Sequence, residues 1–399
     1  MKIAGVVAEY NPFHNGHKYQ IEQMRKNGVT HVVAVMSGNF VQRGDFAITS
    51  KWERAQSAVM NGVDLVIELP SPYALSSAQG FAQSATYILT ALGCVDEIYF
   101  GCECGDVEII KKIAESMLSK EYPRRLTASL DEGISYPAAC EKAVREILAD
   151  KYNDELKFPN NLLATEYVKA LMEYDSKITP CAIKRVGSMH DSADANGQFA
   201  SASAIRQTLI NQGVDGIRDY VPISTFKLLS RSQSLGKSPC DLTRLERAFL
   251  SKLRALSPAD FKDIPDVSEG LENRIADAVK TSLTLEELYE KVKTKRYTHS
   301  RIRRIILRTF LGITSRYSAS PPPYARILAC NVKGRQIIKK AKKITTIPII
   351  TKPAHILRMS NPFAKRLFEK ENELTDIFSL SSPVPQPCAL ELTENLYVE

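Results

Sequence analysis

Residues 3–17 read IAGVVAEYNPFHNGH, an unbroken apolar run, Ile3–Ala8, that passes straight into a polar string, Glu9–His17. A short continuous apolar run reads as a strand buried on both faces. The polar string then lies beyond its carboxyl end, where open parallel sheets bind their ligands. His14 and His17 stand three apart at a helix start and share one side of it. Gly16 between them lets a ligand approach the backbone. The exposed N–H groups and the positive end of the helix dipole favour a polyphosphate there. Histidines in that position can donate hydrogen bonds to phosphate oxygens whose charge grows as the α-phosphorus is attacked. The competing reading is a turn that carries two surface histidines.

Downstream the pattern repeats. Asn15–Asn27 has a helical pattern, Val32–Met36 a second strand, and the stretch from Lys51 to Asn61 a second helix. Val63–Leu69 is a third strand, Ser76–Leu92 a helix, and Val95–Phe100 a fourth strand that ends at Gly101. Val/Ile strands alternating with amphipathic helices predict a parallel sheet covered on both faces. From Asp106 to Met172 the chain turns mostly helical, with a proline break at Phe158–Asn161. A fifth strand is expected at Ile183–Val186, ahead of a Gly/Ser/Asp-rich loop and a helix start at Ser201–Arg206. Beyond Gln212 the strand rhythm gives way to helical patterns such as Leu242–Leu256 and Leu283–Val292. The expected organisation is an α/β catalytic domain over residues 1–212 and a mostly helical, basic domain over 213–399.

Composition sets the outer bounds. The 399 residues are 44% hydrophobic and 25% charged, as in ordinary globular chains. No apolar run reaches the roughly 20 residues of a membrane helix, and the first apolar stretch is too short for a signal peptide. A soluble, cytoplasmic protein with no membrane partner is expected. Eight cysteines are too sparse for a disulfide scaffold, and Cys102 with Cys104 reads as reduced thiols in a turn rather than half a zinc site. No metal-ligand set is expected. The final ENLYVE (residues 394–399) looks like a protease tag and is set aside.

The string His14-Asn15-Gly16-His17 resembles the HIGH signature of the nucleotidyltransferase superfamily, and no glycine-rich phosphate loop competes with it. Met36–Asp45, Lys51–Arg54 and Asp64–Pro70 narrow the resemblance to the bacterial tRNA(Met) cytidine acetate ligase family. Matches continue at Pro159–Asn161, Arg185, His190-Asp191, Ser201–Arg206 and Lys295–Arg304, so the resemblance runs in order along most of the chain. It implies a HIGH-type, Rossmann-like sheet followed by a helical domain. It also implies a two-step reaction in which ATP and acetate give acetyl-adenylate. The acetyl group then passes to N4 of the wobble cytidine of elongator tRNA(Met), with no role for DNA.

The resemblance implies an ATP site built from Val7, Ala8, Glu9, Tyr10, Asn11, Pro12, Phe13, His14, Asn15, Gly16, His17, Lys18, Tyr19 and Gln20. Gly101, Asn160 or Asn161, and Arg185 complete it. Ser203 and Arg206 fall where a second phosphate signature would lie, at a helix N-terminus. His14 and His17 are the expected catalytic groups at the triphosphate. Lys51 is carried with them as a catalytic candidate, and it and Arg43 fit either an anion-binding cation or a solvated surface charge. Asp45 fits a place near a metal or a loop cap, and Glu68 a buried structural pair. His190 with Asp191 fits a general base or a polar loop pair. Mg²⁺ is expected with ATP, held mostly by phosphate oxygens and water.

Charge gathers in the second half. Lys291, Lys293, Lys295, Arg296, Arg301, Arg303, Arg304 and Arg308 fall within 18 residues free of acids, interleaved with Tyr297 and His299. A second group, Lys333, Arg335, Lys339, Lys340, Lys342 and Lys343, follows. Against a net charge of +8, these fourteen cations leave the rest of the chain at −6, so the positive charge lies in the two clusters. They predict an RNA backbone footprint, with Lys295, Arg296, Arg301, Arg303 and Arg304 as its centre.

Overall fold

The computed structural model describes residues 1–149, 155–185, 200–268 and 270–399. Its centre is an eight-stranded sheet. The strands are β1 (Ile3–Ala8), β2 (His31–Ser37), β3 (Leu65–Leu69), β4 (Glu97–Cys102), β5 (Thr179–Lys184), β6 (Ala325–Cys330), β7 (Ile349–Ile350) and β8 (Tyr397–Val398). Their order is β8-β6-β3-β2-β1-β4-β5, with β7 paired to the outer part of β6. The first five run parallel, whereas β6 runs antiparallel to β3. Strand order reverses between β1 and β4, which opens a crevice at their carboxyl ends.

Side chains of the central strands alternate between two cores, as the period of two requires. Ile3, Val33, Val35, Leu65 and Ile67 pack on one face with the Ala78–Ala91 and Pro159–Glu173 helices. Ala4, Val6, Val32, Ala34 and Val66 pack on the other with the Asn15–Lys26 and Lys51–Met60 helices. Every residue of β2, β3 and β6 is buried. The expected first four strands are thus present within a residue or two. The fifth begins earlier than expected, and its expected last residue, Val186, lies outside the described residues.

The expected division after residue 212 does not hold for the sheet. A helical unit with its own core, including Phe249, Ile275, Leu288 and Ile306, follows residue 212. The chain then returns, and β6, β7 and β8 extend the first-half sheet. The segment ARILAC (325–330) does not read as a buried strand because Arg326 breaks its apolar run. In the fold that charge is buried and met by Glu391 and, at 3.4 Å, by Glu68. The tag-like ENLYVE stretch is also structural: Tyr397 and Val398 pair with Ala329 and Cys330.

Lys51 belongs to the same knot. It is fully buried, with its Nζ 2.5 Å from Glu68 and also paired with Glu391. A buried charge survives only with such partners, since desolvation alone costs several kcal/mol per ion. Glu371 completes a group of three buried carboxylates; Lys51 and Arg326 pair with Glu68 and Glu391, while Glu371 accepts the Ser71 N–H at 2.6 Å and the Ser71 hydroxyl at 2.8 Å. All eight cysteines are free thiols, and no helix among the described residues is long and apolar enough to cross a membrane.

Candidate active site

A cleft opens at the carboxyl ends of β1 and β4, at the reversal of strand order. Its narrow part, about 440 Å³, is walled by His14, Gly16, His17, Gly101, Arg185, Ser203 and Arg206. It widens into a second part of about 1040 Å³ that reaches Asp45, His299 and Arg303. Glu9, Arg43, Asn160, Arg185 and Arg206 border both parts, so the two form one continuous cleft.

The histidines are locked by the helix start itself. His14 is the N-cap of the Asn15–Lys26 helix, and its Nδ1 accepts the Gly16 N–H at 3.0 Å. His17 Nδ1 accepts the His14 N–H at 3.2 Å, which closes a capping box made of two imidazoles. The rings stack with centroids 3.7 Å apart, and Tyr10 meets the His17 ring edge-on at 4.9 Å. Because each Nδ1 is an acceptor, each neutral ring must carry its proton on Nε2. Burial, then the Arg185 and Arg206 charges, pushes the His14 pKa down to about 4. Burial, then His14 and Arg185, holds His17 well below its ordinary value. At neutral pH the pair is two fixed N–H donors, not two cations.

Around them stand the cations. Arg206 comes from the Ala202–Gln212 helix; its guanidinium donates to the Asn11 carbonyl at 2.9 Å and to Ser203 Oγ at 3.1 Å. Arg185 follows β5, and its backbone N–H bonds to the Cys102 carbonyl at 3.0 Å. A Cβ on Gly101 would stand 3.3 Å from Arg185 Cγ, so the missing side chain lets that arginine cross β4. Arg54, buried in the Lys51–Met60 helix, donates to the Glu9 carbonyl at 2.5 Å and to the Gly38 carbonyl. It thereby ties the end of β1 to the end of β2.

The residues expected from the sequence divide by position. Val7, Ala8, Glu9, Tyr10, Asn11, His14, Gly16, His17, Tyr19, Gln20, Gly101, Asn160, Arg185, Ser203 and Arg206 line the cleft. Pro12 and Phe13 are buried beneath it, Lys18 points to solvent, and Asn15 holds the Asp219 carbonyl at 2.8 Å. Asn160 reaches the cleft, whereas Asn161 Oδ1 caps the Glu103 and Cys104 N–H groups from within. Lys51 is a correction: its ammonium lies in the buried knot under the sheet and lines neither part of the cleft. His190 and Asp191 lie outside the described residues. Arg43, weighed either way from the sequence, does line the cleft.

The basic clusters come apart as well. Arg303 borders the wide part with His299, and Lys295 is exposed nearby in sequence. Arg296 is half-buried. Arg301 instead donates to the Asp266 carbonyl at 2.9 and 2.7 Å, and buried Arg304 pairs with the Asp266 carboxylate at 3.1 Å. Arg308 is fully buried against the Leu75 and Pro72 carbonyls. These three arginines bind the helical unit together and to the sheet half; Arg304 and Arg308 are buried and so are corrections to the surface footprint expected, whereas Arg301 stays half-exposed. The second cluster rides on the Val332–Ala341 helix, where a Cβ on Gly334 would stand 2.0 Å from the Asp64 carbonyl. Asp64 immediately precedes β3, so this helix sits at the amino ends of the strands, across the sheet from the cleft.

Likeness to known proteins agrees with this geometry. A family model described as HIGH Nucleotidyl Transferase matches residues 1–390. A tRNA(Met) cytidine acetate ligase from Acetivibrio thermocellus is 38% identical, with all of both chains covered. One from Caldanaerobacter subterraneus subsp. tengcongensis is 41% identical over 96% of each chain. The crystal structure of Thermotoga maritima TmcAL bound with alpha-thio ATP superposes with a TM-score of 0.93 at 31% identity over the whole of both chains. The chain belongs to the tRNA(Met) cytidine acetate ligase family of HIGH nucleotidyl transferases.

Proposed function

We propose that this chain activates acetate with ATP, releasing pyrophosphate, and passes the acetyl group from acetyl-adenylate to N4 of the wobble cytidine of elongator tRNA(Met). The observation that carries the first step is the pair of neutral imidazoles whose Nδ1 atoms are both spent on backbone N–H groups. Their Nε2–H groups are donors set in advance for the oxygens of an α-phosphorus under attack, and such preorganised donors cost no reorganisation at the moment of reaction. Arg185 and Arg206 supply fixed positive charge at the same place.

The chemistry then needs no protein nucleophile. An acetate oxygen attacks the α-phosphorus and pyrophosphate departs; the cytidine amine attacks the acyl carbon and AMP departs. Holding donor and acceptor in one cleft supplies the orientation that a weakly nucleophilic amine requires. The donor set fits a Mg²⁺ that travels with the nucleotide, because among the described residues Glu9 is the one carboxylate bordering both parts of the cleft, too few for a protein-built cage. Glu9 would hold such an ion through water, and the ion would neutralise phosphate charge. The tRNA would enter over the wide part, beside His299 and Arg303. A substrate of this kind implies work in the cytoplasm.

The test is to incubate the protein with ATP, Mg²⁺, labelled acetate and bulk bacterial tRNA, digest the RNA and look for labelled N4-acetylcytidine. ATP-dependent label in that nucleoside supports the reading. Acetyl-adenylate without labelled RNA would remove the acceptor from it, and the absence of both products would overturn it.

A further inference from the structure

Asp45 borders the wide part of the cleft, where it opens the second of two short paired segments, Phe40–Val41 and Asp45–Phe46, directly after the tight turn that joins them. The turn is pressed onto the His299–Leu311 helix. A Cβ on Gly44, where φ is +77°, would stand 2.5 Å from the Arg304 backbone nitrogen. The Asp45 carboxylate is therefore fixed relative to Arg303. Its Oδ1 accepts the Phe46 N–H at 2.8 Å, while Oδ2 takes no hydrogen bond from a described residue and no cation of the described residues lies within ion-pair distance. Asp64, Glu68 and Glu391, buried elsewhere in this fold, each pair with a cation, and Glu371 takes hydrogen bonds on both of its oxygens from Ser71. An unpaired, poorly solvated carboxylate costs stability, and this one opens onto the cleft.

Resting on the function proposed above, we infer that Asp45 accepts the N4 amine of the target cytosine and takes its proton as the acetyl group arrives. The amine lone pair forms the C–N bond to the acyl carbon, and the C–O bond to the adenylate phosphate breaks with its electrons leaving on AMP. The N4 proton passes to Asp45 Oδ2 and then to solvent. A carboxylate is the natural partner of the cytosine N4 donor, and it turns away uracil, which offers an acceptor at the same position. Position favours Asp45 over Glu9: Glu9 Oε1 already takes the Gln42 N–H at 2.9 Å and also borders the phosphate end, whereas Asp45 borders the wide part alone. Burial raises the Asp45 pKa, opposed by the Phe46 N–H, Arg303 and Arg206 and reinforced by Asp241, and Tyr289 faces it from the neighbouring helix. A raised pKa makes it a better proton acceptor than an ordinary aspartate.

The two steps can be measured apart. Acetate-dependent exchange of pyrophosphate into ATP, without RNA, reads the first; synthetic acetyl-adenylate with bulk tRNA reads the second. Asp45→Asn is expected to leave exchange within about twofold and to slow transfer at least about 100-fold, the lower end of general-base contributions. Asp45→Glu should restore part of the transfer. Wild-type transfer should climb with pH through the Asp45 titration, and the residual rate of D45N should lack that limb. Transfer by D45N within threefold of wild type would overturn the inference. So would an equal fall in both steps, which a structural role predicts. No exchange and no transfer by the wild type would bring down the functional reading, and this inference with it.

Discussion

The backbone N–H of His14 lies 3.2 Å from Nδ1 of His17, and the two rings stack at 3.7 Å. One bond thus closes a helix cap and fixes a tautomer. A His14→Asn variant can still cap, since asparagine is a favoured N-cap, but it has lost the imidazole N–H. It should fold normally and form acetyl-adenylate about 10²–10³-fold more slowly, as removal of one preorganised donor typically does. Near-normal pyrophosphate exchange by that variant would remove His14 from the chemistry.

The same pair makes a pH prediction. The His14 pKa falls from its ordinary 6.5 to about 4 on folding, mainly through burial, so between those values the unfolded chain binds the extra proton. Its contribution to stability is complete above pH 6.5 and is lost as pH falls towards 4. Adenylation itself should show no histidine limb between about pH 6 and 8, where both rings stay neutral. Urea titrations from pH 7 to pH 4 check the first point and exchange rates the second. The stability slope should shrink in His14→Asn.

Lys51 separates structure from catalysis. Its ammonium is buried against Glu68 and Glu391, which joins the Lys51–Met60 helix, β3 and the chain's last turn of helix. Removing one partner of such a group costs about 3–5 kcal/mol because the others are left uncompensated. Lys51→Met should lower the unfolding midpoint strongly, while the protein that remains folded keeps its ATP affinity. Full stability with lost adenylation would restore Lys51 to the reaction.

What the sequence withheld follows from this knot. The string from Ile3 to His17 was legible because strand, turn and helix start are local, and each residue type has a local reason to be there. Arg326 and Glu391 are 65 residues apart, so nothing near Arg326 announces that its charge will be cancelled. The strand it occupies therefore reads as something else. Lys51 misled for the same reason: a lysine that opens a helix is commonly exposed. Arg301, Arg304 and Arg308 read as surface charge because Asp266 and the Leu75 and Pro72 carbonyls that hold them are distant in sequence.

Those arginines divide by expected effect. Arg303 stacks over Tyr289 at 5.1 Å and borders the cleft, and among the described residues Glu286 at 3.4 Å is its one acidic partner. Arg303→Glu should weaken tRNA binding with little change in melting temperature, and the salt dependence of binding should flatten by about one counterion. Arg304→Glu should instead destabilise the fold, since it opposes Asp266 in a buried setting. Filter binding across a salt series, with a melt of each variant, distinguishes the two. Equal tRNA affinity for R303E and wild type would move the RNA path elsewhere.

Glu103 has no place in the cleft wall, yet it aims a residue that does. Its carboxylate accepts the Asn160 side-chain amide at 2.5 Å and the Asn161 N–H at 3.0 Å, while Asn161 Oδ1 returns bonds to the Glu103 and Cys104 N–H groups. This reciprocal set pins the start of the Pro159–Glu173 helix to the end of β4, beside Gly101. Glu103→Ala frees Asn160 to rotate and removes charge-assisted bonds worth about 1.5–3 kcal/mol each. If even the smaller figure is expressed in ATP binding, KM for ATP rises about tenfold. Exchange at saturating ATP should stay near wild type, because the histidine donors are untouched. A fall in that maximal rate with KM unchanged would mean that Glu103 acts on the transition state rather than on Asn160.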